Sequence, residues 1–267
     1  MSDLFSVKGK VVLVTGGGKG VGWGITNGYM RAGAARVYIA SRDEKSLQQA
    51  ADEFNKKGYE GKCIPLAANL ATLEGCEGLA KELEKREKCL HVLVNNSGNN
   101  WGAPFDEYPD AAWNRVLGLN VHRVFTLTQK LTPLLEASLP SKEGPWEDPA
   151  RIIMIGSVDG VRVPSLETYA YSASKAALHQ LSRVLASQLG KRGITCNALA
   201  CGPFESKMMA ATLAAGRDHI VSSIPLARIG TPDDVAGACI FLSSRGGAYV
   251  NGAIIALDGG SLVAGKL

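Results

Sequence analysis

Between positions 156 and 175 the sequence GSVDGVRVPSLETYAYSASK brings a serine, two tyrosines and a lysine close together. On a helix beginning near Tyr171, residues four apart lie on one face about one turn apart, so Tyr171 and Lys175 can enter a single cleft. Tyr169 has Ala173 at that offset and therefore no cation. A phenol with an unperturbed pKa of about 10 exchanges protons poorly near neutrality, and a cation within about 4–6 Å lowers that value. Lys175 is read as that cation. Ser157 follows an apolar run, RIIMIG at 151–156, which reads as a buried parallel strand whose carboxyl end faces a ligand crevice. Its hydroxyl can meet the phenol over a substrate carbonyl, and the chemistry would be proton transfer to oxygen. The same spacing also arises on ordinary amphipathic helices, with the tyrosine packed and the lysine reaching into water.

Such groups need strands that end together and a turn that holds the second reactant. Residues 10–15 (KVVLVT) form a short apolar run ending in Gly16, Gly17, Gly18, Gly20 and Gly22, with a helical stretch to about Ala32 after it. Strand, tight turn and helix in that order suit a pyrophosphate. Glycine lets the backbone come close, and the free N–H groups and dipole at the helix start favour negative charge. The cluster fits no register of G-x-G-x-x-G; it reads T-G-x-x-x-G-x-G through Thr15, Gly16, Gly20 and Gly22, with Gly18, Lys19 and Val21 filling the turn. A merely tight connection is the plain alternative. Residues 36–40 (RVYIA) form a second strand that ends at Ser41 and Arg42, about 20 residues past the last motif glycine. There an acid would take a ribose 2′-hydroxyl and an arginine a 2′-phosphate. With Lys19 as a second cation the residues lean to NADP(H), while Asp43 keeps NAD open.

The alternation continues. Residues 62–66 form a third strand with Asn69 and Leu70 beyond it, and 91–94 a fourth, leading into Asn95, Asn96, Ser97 and Gly98. That turn suits left-handed backbone and the close approach of a planar ring. A long helix is expected over 111–137 with Asn120 inside it, where an asparagine implies a water or backbone partner, or a local kink. Residues 138–149 read as a surface loop, and 194–199 as a strand leading to Cys201, Gly202 and Pro203. Residues 204–229, with Phe204, Ser206 and Met208, read as a mobile lid over an apolar substrate, although methionines at helical spacing also suit plain packing. A helix from Pro232 and a strand at 253–257 complete one doubly wound α/β domain over 1–267, with roughly seven parallel strands.

Composition sets limits on partners. The 267 residues are 46% hydrophobic and 20% charged, and no apolar run approaches the roughly 18 residues that span a bilayer. Net charge is +4 with both signs interleaved, as in KELEKREK at 81–88, so no basic stripe for nucleic acid is present. The first residues lack a basic stretch leading into a signal core, so a cytoplasmic protein is expected; the ending Gly265-Lys266-Leu267 resembles a peroxisomal S-K-L terminus and leaves that address as an alternative. The six cysteines form no CxxC and no zinc spacing with the four histidines, so no metal is expected.

Together these motifs resemble the short-chain dehydrogenase/reductase family over nearly the whole chain: TGGGKGVG at 15–22, NNSG at 95–98, Asn120, Ser157, YSASK at 171–175, CGP at 201–203 and LDGG at 257–260. The stretches SASKAALHQLSRVLA and WGAPFDEYP look closest to β-ketoacyl reductases of the kind linked to bacterial rhamnolipid synthesis. The resemblance implies a Rossmann-type fold, NADP(H), a small-molecule carbonyl substrate and a homotetramer built on the long helices and the last strand. It implies Tyr171 as acid/base, Lys175 also holding the nicotinamide ribose, Ser157 orienting the carbonyl, Asn120 supporting a water relay, and Ser206 in place of the threonine that contacts the carboxamide. The departures are Cys201 for the usual proline, Ser97 for alanine, Asn69 for aspartate, and the polar Asp159 two residues after Ser157. Asp159 tells against a purely acyl substrate, because an acid near the pocket costs desolvation unless it meets a polar or cationic group. Ketone reduction is the leading reading; alcohol oxidation and a binding scaffold without chemistry are its alternatives.

Overall fold

The computed structural model describes residues 4–206 and 209–265. Seven strands form one sheet: β1 (Val11–Thr15), β2 (Arg36–Ser41), β3 (Lys62–Ala67), β4 (Val92–Asn95), β5 (Ala150–Ile155), β6 (Ile194–Cys201) and β7 (Ile254–Leu257). Their order is β3-β2-β1-β4-β5-β6-β7, and every pairing is parallel. Successive side chains leave a strand on opposite faces, so each strand feeds two cores. Val12 and Val14 join one apolar cluster with Ile25, Leu47 and Val235; Leu13 joins the other with Leu83, Leu131 and Leu178. Burial on both faces explains why these strands read as continuous apolar runs and not as alternating ones.

Among the described residues, eight helices cover the two faces: α1 (Gly20–Arg31), α2 (Glu44–Lys56), α3 (Leu73–Arg86), α4 (Asp110–Leu117), α5 (Arg123–Glu136), α6 (Tyr169–Gly190), α7 (Ala210–Ser222) and α8 (Pro232–Ser243). Their starts follow side-chain chemistry. Thr72 caps α3 by accepting from Gly75 N–H, and Thr231 forms a capping box with Asp234 at α8. The long helix expected over 111–137 is instead α4 and α5 joined by a π-turn, Gly118–His122, and Asn120 sits in that turn. α6 begins at Tyr169, two residues before the tyrosine of interest.

Arg151 is 1% exposed and ties β5 to the end of α8, donating to the Leu242 and Ser244 carbonyls at 2.9 Å each. The strand that leads to Ser157 is thereby pinned from behind. No described helix is long and apolar enough to cross a membrane. Among the described residues no group of His, Cys, Asp and Glu could hold a metal ion. Lys266 and Leu267, which carry most of the peroxisome-like ending, lie outside the described residues, as does Met208 of the expected lid.

The α1–α8 crossing is close because α1 presents Gly24 and Gly28 to it. A Cβ at Gly28 would lie 2.4 Å from the Ala236 Cβ. Gly28→Ala gains about 1 kcal/mol of helix propensity but forces an overlap of the kind that costs about 1–3 kcal/mol. The variant should therefore lose stability in urea unfolding; an unchanged or raised midpoint would show that α8 shifts without cost.

Candidate functional site

The carboxyl ends of β1, β4, β5 and β6 open on a cleft of about 1580 Å³, at the switch between strands that run outward in opposite directions from β1 and β4. Gly16, Lys19, Gly20, Val21, Gly22, Ser41, Arg42, Asn69, Leu70, Asn96, Ser97, Gly98, Ser157, Tyr171, Lys175, Gly202, Pro203, Phe204 and Ser206 all line it. Three expected site residues do not. Thr15 is buried behind the cleft, its hydroxyl accepting from the N–H groups of Asn96 and Ser97 at 2.9 Å each. Gly18 faces Ala50 and Leu47 of α2, so its role is packing. Asn120 is 1% exposed and acts one layer back.

Thr15 and Asn96 form a clasp between the two turns. The Asn96 side-chain amide donates to the Thr15 carbonyl at 2.8 Å, which spends that amide on structure. Gly16 lies at φ +67°, and a Cβ there would come 2.9 Å from Asn96 Nδ2; one at Gly22 would come 2.2 Å from the Gly16 carbonyl oxygen. Both positions therefore admit glycine alone. Lys19 precedes α1 without capping it, and no acid stands in the first turn of that helix. The first N–H groups thus keep their capacity for an anion, as the phosphates of a dinucleotide require.

Charge at the end of β2 is sorted by helix capping. Asp43 accepts from Ser46 N–H at 3.0 Å as the N-cap of α2, and its other oxygen lies 3.7 Å from Lys19 Nζ. The acid that kept NAD open is thus engaged in both directions. Arg42 is exposed beside it, on the cleft wall.

Ser157 closes β5 and caps a short 3-10 turn, Val158–Gly160, where its Oγ accepts from Asp159 N–H at 3.2 Å. Burial pushes the Tyr171 phenol up to about 12, against the opposing influence of a hydrogen bond with Ser157. Lys175 is 5% exposed; its Nζ donates to the Ile155 carbonyl at 2.8 Å and lies 5.5 Å from the centre of the Tyr171 ring. Burial pushes the ammonium down to about 8, with Cys201 nearby acting the other way. The sequence expectation that Lys175 lowers the phenol is therefore not met within the protein's own groups: desolvation dominates at both sites, and the phenol keeps its proton. One ammonium N–H is held by Ile155, leaving two donors for the cleft.

Asn120 links three elements. Its oxygen accepts from Asn99 N–H, and its amide donates to the Asn99 carbonyl and to Ser174 Oγ, each at 2.9 Å. Ser174 in turn donates to the Tyr171 carbonyl at 2.7 Å. The expected backbone partner and the expected helix distortion are both present. With both amide hydrogens used, one acceptor position on the oxygen is left for a water.

His179, which the sequence reading did not single out, sits one turn beyond Lys175 on α6. It is 3% exposed, and neither ring nitrogen has a hydrogen-bond partner among the described residues. A Cβ at Gly156 would fall 2.1 Å from its Nε2, and one at Gly160 would fall 3.0 Å from its Cε1. Burial lowers its pKa to about 4, so a neutral imidazole fills the space beneath the Ser157 turn. The i, i+4, i+8 series Tyr171, Lys175, His179 was the available signal. Tyr169 faces elsewhere: its hydroxyl donates to Glu167 at 2.9 Å, and its ring packs edge-on against Tyr108.

These shifts make a function-independent prediction. The Cε resonance of Lys175, followed by carbon NMR, should titrate near pH 8; titration near the ordinary lysine value of 10.5 would contradict the buried site. Because the folded value is depressed, the buried charge opposes folding fully below about pH 8. That opposition fades between about 8 and 10.5, where the unfolded chain still binds the proton.

Comparison with known proteins agrees with this geometry. The family model described as enoyl-(acyl carrier protein) reductase matches residues 16–261. A rhamnolipids biosynthesis 3-oxoacyl-[acyl-carrier-protein] reductase of Pseudomonas aeruginosa is 40% identical over 97% of this chain and 99% of its own. A 5-keto-D-gluconate 5-reductase of Escherichia coli is 31% identical over 99% of this chain and all of its own. Among solved structures, a Pseudomonas aeruginosa RhlG/NADP active-site complex superposes with a TM-score of 0.91 at 39% identity, over 98% of this chain and 100% of that one. The chain belongs to the short-chain dehydrogenase/reductase family of oxidoreductases, which interconvert alcohol and carbonyl groups.

Proposed function

We propose that this protein is an NADPH-dependent reductase of a ketone, of the 3-oxoacyl or a related secondary-metabolite kind, with Tyr171 as general acid. The observation that carries the reading is the convergence of Ser157, Tyr171 and Lys175 at the end of β5, in the same cleft as the uncapped start of α1. The similarity to a 3-oxoacyl reductase over 97% of the chain supports the substrate class. Bound NADPH supplies the hydride. Ser157 Oγ holds the carbonyl oxygen, and the Tyr171 phenol gives that oxygen a proton as negative charge builds there. The high proton affinity of the phenol keeps it in the donor form at neutral pH. The two remaining Lys175 donors would be available to hold a ribose hydroxyl of the bound cofactor and to support the phenol, so the lysine would serve both binding and transfer.

NADP(H) over NAD(H) rests on Ser41, Arg42 and Lys19, and on the engagement of Asp43 by Ser46 and Lys19. The NADP complex of the RhlG structure is consistent with it. A homotetramer fits the exposed apolar side chains on α5 and α6, Phe125 and Val184, and Tyr249 and Val263 near the β7 edge. A cytoplasmic setting fits six free cysteines, five of them buried.

Two experiments test the reading. Tyr171→Phe should lower kcat by about 10² to 10⁴ while NADPH affinity stays close to wild type, whereas Tyr169→Phe should keep most activity. The reverse outcome would move the acid to the other tyrosine. Arg42→Asp should raise the KM for NADPH far more than that for NADH; equal effects on both would remove the basis for NADP preference.

A further inference from the structure

One charged group in the cleft has no task in the proton transfer. Asp159 stands two residues beyond Ser157, in the 3-10 turn that Ser157 caps, and its backbone N–H holds the Ser157 hydroxyl. Among the described residues its carboxylate receives no hydrogen bond and forms no ion pair, although it is half-buried in the cleft wall. Arg162, three residues away, attracts it by charge alone and gives its hydrogen bond to the Ser261 carbonyl, at 3.4 Å. A carboxylate partly withdrawn from water without a donor carries a desolvation cost, and burial accordingly raises the Asp159 carboxyl above its ordinary value. Asp159 is also the one acid among the described residues lining the cleft, whose other charged members are Lys19, Arg42, Arg115, Arg162 and Lys175.

We infer that Asp159 is a specificity-determining residue that accepts a hydrogen bond from a hydroxyl adjacent to the substrate carbonyl, so that the preferred substrate is a hydroxyketone. The short turn from Ser157 sets the distance: a donor that meets Asp159 while Ser157 holds the carbonyl oxygen lies within a few bonds of that carbonyl. The five cations decide its charge. With five cations and one acid among the described residues lining the cleft, a further cation adds to the positive side, whereas a hydroxyl supplies the hydrogen without a charge. A plain acyl chain leaves the carboxylate unpaired, and a site of this kind discriminates against the analogue that lacks the donor. This inference rests on the ketone-reductase reading and, within it, favours a hydroxylated ketone over a plain 3-oxoacyl chain.

The test is a matched pair, acetoin and butanone, which differ by one hydroxyl next to the carbonyl. With NADPH, the wild-type kcat/KM should favour acetoin by about 10- to 100-fold, as expected for a hydrogen bond to a charged group, with most of the difference in KM. In Asp159→Ala that ratio should fall by a similar factor. Asp159→Asn, which keeps the size and one acceptor oxygen, should retain part of the preference and serves if the alanine variant does not fold. An unchanged ratio in the variants overturns the inference. So does an equal change for both ketones, which would mean that Asp159 acts only through its charge on the Tyr171 phenol. If neither ketone is reduced, the reductase reading fails by itself, and saturation-transfer NMR on the NADPH-loaded protein takes over. Preferential binding of acetoin that disappears in Asp159→Ala upholds the inference, and equal binding of the two ketones overturns it.

Discussion

The Lys175 ammonium lies inside the protein, and the one hydrogen bond it makes among the described residues goes to the Ile155 carbonyl at the end of β5. A buried cation paired only with a neutral carbonyl is a poor arrangement for stability, since desolvation exceeds what one hydrogen bond returns. The surroundings are built to hold it there. Gly98 leaves room for the Asn120 carboxamide, since a Cβ there would press its oxygen at 3.2 Å. Asn120 braces the first turn of α6 through Ser174, and His179 fills the space one turn further on as a neutral ring. Strained or costly groups of this sort gather where a ligand is to complete them.

The second constraint is the clasp of Thr15 and Asn96 between the glycine turn and the turn after β4. It holds the glycine-turn end of the cleft against the end where Ser157, Tyr171 and Lys175 meet, so that one ligand can touch both. The side chains that hold the clasp are spent on each other, and the surfaces left for a cofactor are backbone N–H groups and glycines. That division explains why Thr15 and Gly18 belong to the motif without lining the cleft: one ties the turns together, and the other lets α2 pack.

Much of this was legible in the residues. Apolar runs gave all seven strands to within a residue or two at most ends, most clearly the inner five, where burial on both faces leaves an unbroken signal. The Tyr171 and Lys175 register followed from a four-residue offset, and the structure brings both into one cleft with Ser157. The direction of the phenol shift was not legible, since it depends on how deeply two groups are desolvated and not on their spacing. Nor was the engagement of Asp43, which turns on a helix cap competing with a ligand for one carboxylate. The break at Asn120 was half legible: asparagine marked the irregularity, but only the backbone path determines that it is a π-turn bonded to Asn99.

The proposed hydride transfer beside Tyr171 can be watched one event at a time. Its most direct test is a single turnover of protein-bound NADPH, deuterated on one face at the transferable position of the nicotinamide, with a ketone added in excess. Cofactor fluorescence should decay with a primary isotope effect for one face only, and the deuterium should appear on the carbinol carbon. Bound NADPH that stays reduced with every ketone supplied, or deuterium scrambled between both faces, would contradict the account.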